Sequence, residues 1–152
     1  MSKNSIYVPE QFVFENSIIA LSGGFDPLNF GHIKMLQGAI HFGKVVVILN
    51  SDEWLVRKKG FCLMPWHERK EILLALKFVH DVVPVDDSDD TVCEALTRIK
   101  PNVFGNGGAR GPKNTPERDL CLKLGIKMAY GLGGGEREQI TLNLRERIKE
   151  AK

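Results

Sequence analysis

The residues best suited to chemistry stand together in one string, Gly23-Gly24-Phe25-Asp26-Pro27-Leu28-Asn29-Phe30-Gly31-His32. A short apolar run over 17–21 precedes it and apolar residues at helical spacing follow, so the string joins a buried strand to a helix. Backbone N–H groups at a helix start, aided by the helix dipole, favour a phosphate there. Gly24 and Gly31 carry no side chain, so a phosphate chain can approach the backbone closely. His32, in the first helical turn, can donate a hydrogen bond to a phosphate oxygen as charge shifts during a transfer. Asn29 has two readings, the cap of the helix or a neutral amide donor toward phosphate. Asp26 orients the loop, faces an incoming substrate, or forms a local Asx-turn before Pro27. A glycine pair alone is an ordinary turn; the whole string between strand and helix favours phosphate binding.

The surrounding pattern supplies the scaffold. The first helix runs from Phe30 to near Gly43 and presents Ile33, Leu36 and Ile40, with Met35 a further candidate for that face. A second buried strand over 45–49 ends at Asn50-Ser51-Asp52, and a polar, basic loop runs from Arg57 to Met64. Pro65 opens a helix whose buried face is Ile72, Leu73, Leu76 and Val79. Strands are expected over 82–85, 102–105 and 126–130, and helices over 91–99, 115–124 and 138–151. Residues 1–16 read as an N-terminal arm and 17–152 as one domain. Strands alternating with helices predict the α/β class, with a five-stranded parallel sheet flanked by helices and right-handed crossovers. Such sheets bind ligands beyond the carboxyl ends of their strands, so the loops after Leu21, Leu49 and Phe104 are expected to share one crevice.

Bulk properties narrow the class further. At 152 residues, 43% apolar and 26% charged, the chain has the composition of one soluble globular domain. A net charge of +2 gives no argument for nucleic acid or a membrane surface. The three cysteines are scattered and odd in number, and the four histidines lack metal-ligand spacing, so neither a disulfide framework nor a metal site is expected. Without an apolar leader or a long apolar run, the expected location is the cytoplasm.

The ten-residue string resembles the signature of the cytidylyltransferase-like nucleotidyltransferase superfamily, Gly-x-Phe-Asp-x-x-His-x-Gly-His. The likeness extends from about Ile18 to Arg145. Ser51-Asp52-Glu53 with Arg57-Lys58-Lys59-Gly60 is similar to the superfamily's second-strand exit and lysine loop. Trp66-His67-Glu68-Arg69-Lys70-Glu71-Ile72-Leu73 resembles the helix that follows, and Val79-His80-Asp81-Val82-Val83-Pro84 the third strand. Within the superfamily the chain looks nearest to heptose-1-phosphate adenylyltransferases and glycerol-3-phosphate cytidylyltransferases.

The resemblance implies a single Rossmann-like domain and an in-line attack by a substrate phosphate on the α-phosphorus of a nucleoside triphosphate. Mg2+ accompanies the triphosphate, pyrophosphate leaves, and no covalent enzyme intermediate forms. Catalysis is then positioning plus charge neutralisation. On that reading His32 steadies the transferring phosphate with Asn29 beside it, and Lys59 with Lys58 neutralises phosphate charge. Gly23, Gly24, Phe25, Asp26 and Gly31 form the nucleotide cradle. Asn106, Gly107 and Gly108 belong to a loop facing base or substrate, and Arg110 is a bidentate phosphate ligand. Arg69 reads equally as a functional cation or an ordinary helix-face charge.

The implied partners are a nucleoside triphosphate and a small phosphorylated sugar or alcohol, with a homodimer as the implied assembly. The Gly107-Gly108 loop favours ATP and a heptose-phosphate-like acceptor over CTP and glycerol phosphate. Three positions depart from the pattern. Asn29 replaces its first histidine, Ala109 stands where related enzymes often carry aspartate, and the late Ile-Ser-x-Thr motif becomes Gln139-Ile140-Thr141-Leu142-Asn143. Thr141 retains a hydroxyl toward the triphosphate. These departures motivate a second reading, a nucleotide-binding module of this fold without turnover.

Overall fold

Apolar runs at 18–21 and 45–49 lie in two of the three inner strands of a parallel sheet, because strands covered on both faces need no polar alternation. The computed structural model describes residues 16–107 and 115–133. The strands are β1 (Ile18–Gly23), β2 (Lys44–Leu49), β3 (Asp81–Val83), β4 (Val103–Gly107) and β5 (Lys127–Leu132). Between them lie α1 (Phe30–Ala39), α2 (Asp52–Lys59), α3 (Trp66–Leu74), α4 (Cys93–Ile99) and α5 (Thr115–Leu124). The five strands are ordered β3-β2-β1-β4-β5, all neighbours parallel, in the expected α/β, Rossmann-like arrangement. The chain builds outward from β1 to β3, then returns to the other side of β1 with β4. The switch in strand order therefore falls between β1 and β4.

Side chains alternate across the sheet and divide the core in two. Ile19, Leu21, Val45, Val47 and Leu49 pack with Met35, Leu36 and Ala39 of α1 and Leu73 of α3. Ala20, Ile48 and Phe104 pack with Ala95 and Leu96 of α4 and Cys121 of α5. Burial pushes the Cys121 thiol up to about 11, so it serves as a small apolar residue there. β3 is a three-residue edge strand followed at once by Pro84.

Several expectations are corrected. The basic loop expected over 57–64 begins only at Gly60, because Arg57, Lys58 and Lys59 form the last turn of helix α2. Ser51 caps its start, and Gly60 ends it with φ +88°, a left-handed turn suited to glycine. Leu55 is the one buried residue of α2, so no apolar periodicity announces the helix. In α3 the inward residues are Arg69 and Leu73, and Ile72 is exposed. In α1 the buried stripe is Gly31, His32, Met35, Leu36 and Ala39, with Ile33 and Ile40 at its margins. The arm up to residue 15 and the helix expected over 138–151 lie outside the described residues. No described helix is long and apolar enough to cross a membrane.

Candidate functional site

The loop between β1 and α1 is shaped by its own side chains. Asn29 is the N-cap of α1, and its Oδ1 accepts the N–H groups of Gly31 at 2.9 Å and His32 at 3.2 Å. His32 in turn accepts the Asn29 N–H on Nδ1 at 3.1 Å, closing a reciprocal cap. A nitrogen that accepts carries no proton, so the neutral imidazole keeps its hydrogen on Nε2, which becomes the donor. The ring is buried and lies 4.7 Å from the Phe25 ring at 56°. Phe25 itself has φ +49°, a left-handed conformation that a bulky residue holds only where its surroundings impose it.

Gly24 is glycine for a packing reason as well. A Cβ there would stand 2.6 Å from Leu55 Cδ2, so the β1 loop lies directly against α2.

Asp26 ties this loop to the chain beyond α2. Its Oδ2 accepts the Leu63 N–H at 2.7 Å, and its Oδ1 accepts the Met64 N–H at 2.8 Å. Lys59 Nζ stands 3.0 Å from Oδ2 and also donates to the Asp26 carbonyl. Burial alone raises the carboxyl pKa, but the two N–H bonds and the Lys59 ammonium outweigh it and hold Asp26 below its ordinary 3.8. The local Asx-turn gives way to contacts 37 and 38 residues distant, and Asp26 acts as an anchor between two loops. The Lys59 ammonium also sits 4.7 Å above the Phe61 ring, while Lys58 lies 5.9 Å over Trp54.

Arg69 is neither an exposed helix charge nor an open cation. It is 1% exposed, and its guanidinium reaches three separate loops. Nη1 donates to the Gly24 carbonyl at 2.9 Å and the Asn50 carbonyl at 2.8 Å, just past β1 and β2. Nε donates to the Met64 carbonyl at 2.8 Å, and Nη2 pairs with Asp52 Oδ1 at 2.6 Å. Asp87, 3% exposed, adds a second lock: it accepts from Asn50 Nδ2 at 3.0 Å, the Ser51 N–H at 2.9 Å and Ser51 Oγ at 2.6 Å. Arg57 reaches the Asp87 carbonyl at 2.7 Å and Asp90 at 3.1 Å. The loops after β1, β2 and β3 thus form one braced rim. Sequence reasoning missed Asp87 altogether. The available signal for Arg69 was a charged residue four positions before Leu73, on the buried stripe of α3.

Gly23, Gly24, Phe25, Asp26, Asn29, Gly31, His32 and Lys59 are therefore brought into one neighbourhood, and Lys58 points to Trp54 instead. Asn106 and Gly107 extend β4 beyond its Leu21↔Gly105 pairing with β1, at the carboxyl end where the strand order switches. Asn106 is buried in a bulge, where two steps along β4 match three along β5. Gly108, Arg110 and Thr141 lie outside the described residues, as does Ala109. A depression of 260 Å³ lined by Ser51, Asp52, Glu53, Trp66, Pro84 and Val85 opens beyond β2 and β3. Three of its polar side chains are engaged, Ser51 by Asp87, Asp52 by Arg69 and Trp66 Nε1 by the Leu49 carbonyl at 3.0 Å. Among the described residues no cluster of His, Cys, Asp and Glu could hold a metal ion.

Known proteins resemble this chain in sequence and in fold. Residues 20–111 match the family model described as cytidylyltransferase-like. The bifunctional protein HldE of Syntrophotalea carbinolica is 35% identical over 112 residues, which is 72% of this chain and 22% of that protein. HldE of Pelobacter propionicus is 33% identical over 138 residues, 88% of this chain and 27% of that protein. The chain thus spans only about a quarter of the length of these curated relatives. The crystal structure of the lipopolysaccharide core biosynthesis protein from Thermoplasma volcanium superposes with a TM-score of 0.65 at 21% identity, covering 76% of this chain and 93% of that one. The family match takes in most of the chain, from within β1 to beyond β4, and the chain belongs to the cytidylyltransferase-like family of nucleotidyltransferases.

Proposed function

We propose that the protein transfers AMP, or less favourably CMP, from a nucleoside triphosphate to a phosphorylated sugar or alcohol and releases pyrophosphate. The observation that carries this reading is the bond from the Asn29 N–H to His32 Nδ1. The cap bond on Nδ1 aims Nε2–H as a fixed donor from the first turn of a helix that begins at the carboxyl end of the central strand. An acceptor phosphate oxygen attacks the α-phosphorus in line. The new P–O bond forms as the α–β bridging P–O bond breaks, and pyrophosphate carries away the electron pair. His32 donates to a phosphate oxygen as its charge grows. Lys59 exchanges its Asp26 contact for phosphate, which its partly open side chain permits. Mg2+ enters bound to the triphosphate as part of the substrate. The resemblance to heptose-1-phosphate adenylyltransferases favours ATP and a sugar phosphate.

A pyrophosphate-release assay with ATP and CTP against aldose-1-phosphates, heptose phosphates and glycerol-3-phosphate tests the reading. Release that requires both a nucleotide and an acceptor supports it, and the productive pair identifies the substrates. The Lys59–Asp26 ion pair and the engagement of Asn29 Oδ1 by the helix cap favour the second reading, a module that binds nucleotide without turnover. Nucleotide binding with no release on any pair selects that second reading. Absence of both binding and release overturns the two together.

A further inference from the structure

We infer that Arg69 is a positioning residue for the transfer, holding the Gly24–Phe25 peptide so that the Phe25 N–H faces the phosphates. This rests on the nucleotidyl-transfer reading above. The Gly24 carbonyl points inward to Nη1 of a guanidinium that is 1% exposed. Asp26–Pro27 is the cis peptide among the described residues, so Gly24–Phe25 is trans. In a trans peptide the N–H points opposite to the C=O. A carbonyl drawn into the protein therefore turns the next N–H away from Arg69, toward the outer face of the loop.

The neighbouring peptide shows the same logic at work. The Asn50 carbonyl accepts from the same Nη1, and the following Ser51 N–H donates in the opposite direction to Asp87 at 2.9 Å. Because one nitrogen serves both carbonyls, the exits of β1 and β2 are held at a fixed spacing. Nε fixes the Met64 carbonyl, in the segment that Asp26 anchors beside Lys59.

An apolar side chain at position 69 would leave the Gly24, Asn50 and Met64 carbonyls without their donor, so Arg69 also braces the fold and a test of positioning must separate rate from stability. A lysine would keep the charge but lose the planar fork that addresses several carbonyls at once.

Two measurements decide the matter. In wild-type amide spectra, a non-hydrolysable ATP analogue with Mg2+ should shift the Phe25 N–H strongly downfield and protect it from exchange. Shifts around His32 that leave Phe25 unmoved overturn the proposal and spare the nucleotide reading; no shift anywhere overturns both. In kinetics, Arg69→Lys should lower kcat by about a hundredfold through misplacement of the phosphates, with a smaller change in nucleotide KM. Leu96→Ala, buried in the α4 layer, should lower Tm and leave kcat unchanged. A folded Arg69→Lys with wild-type kcat, or an equal kcat loss in Leu96→Ala, overturns the role. If Arg69→Lys does not fold, the wild-type Phe25 resonance still decides.

Discussion

Replacing Asp26 by asparagine separates charge from shape at the junction between the β1 loop and the chain beyond α2. The native carboxylate accepts one N–H on each oxygen, from Leu63 at 2.7 Å and Met64 at 2.8 Å. Asparagine offers a single oxygen, and its NH2 group meets the other N–H donor to donor. One bond to a charged acceptor, worth ~1.5–3 kcal/mol, is lost, and a donor is left facing a donor. Leu63 is 58% exposed, so the segment around it can turn toward water and recover part of the cost. The Lys59 side chain is 31% exposed and reaches water itself, adding little. The expected loss at pH 7 is about 2–3 kcal/mol. For a domain of this size that lowers Tm by roughly 4–12 °C. Urea unfolding across pH provides the assay. The folded carboxyl titrates below 3.8, so above that value its stabilisation is complete. As pH falls from there through the folded value, the unfolded chain takes up its proton first and the stabilisation is lost. Asparagine has no proton to gain, so the gap between the two proteins should stay constant from pH 7 to 5 and narrow below about 4. A gap under ~0.5 kcal/mol at pH 7, or one unchanged at pH 3, refutes the reasoning.

Removing the imidazole in His32→Ala should cut pyrophosphate release by about a hundredfold or more, near 3 kcal/mol of charge stabilisation. A folded His32→Ala with wild-type turnover rejects that role. Asn29→Asp keeps an acceptor for the Gly31 and His32 N–H groups, so Tm should hold. The added negative charge should weaken triphosphate affinity by roughly tenfold, and calorimetry finding no change puts the phosphates elsewhere. Gly24→Val drives a side chain into Leu55 and should cost ~1–3 kcal/mol in denaturant unfolding, contrary to a purely phosphate-facing glycine. An unchanged unfolding midpoint contradicts that packing.

The sequence makes the inner strands legible because 18–21 of β1 and 45–49 of β2 are unbroken apolar runs. Helix α2 escapes a periodicity search, since Leu55 alone is buried, although the Ser51 cap, the Asp52 and Glu53 start and the Gly60 stop are all written there. The β1 loop stands out by composition, and the reciprocal bonds of Asn29 and His32 span only three residues. Apart from the Lys59 and Asp52 side chains, the partners of Asp26 and Arg69 are backbone groups of distant loops. A backbone partner leaves no letter in the sequence, so those contacts cannot be read from residue types.

The brevity of β3 bears on how copies of this chain meet. An outer strand ordinarily offers a row of unpaired N–H and C=O groups, a template on which another polypeptide can extend the sheet. Here the ladder is three residues long and stops before Pro84, which has no N–H to offer. The carboxylate of exposed Asp81 accepts the Val82 N–H at 2.8 Å, occupying a group that an incoming strand would need. The same carboxylate sets a negative charge at that margin. An approaching chain thus meets charge, a short ladder and proline, and fibrous growth from this side of the sheet has no ready foothold.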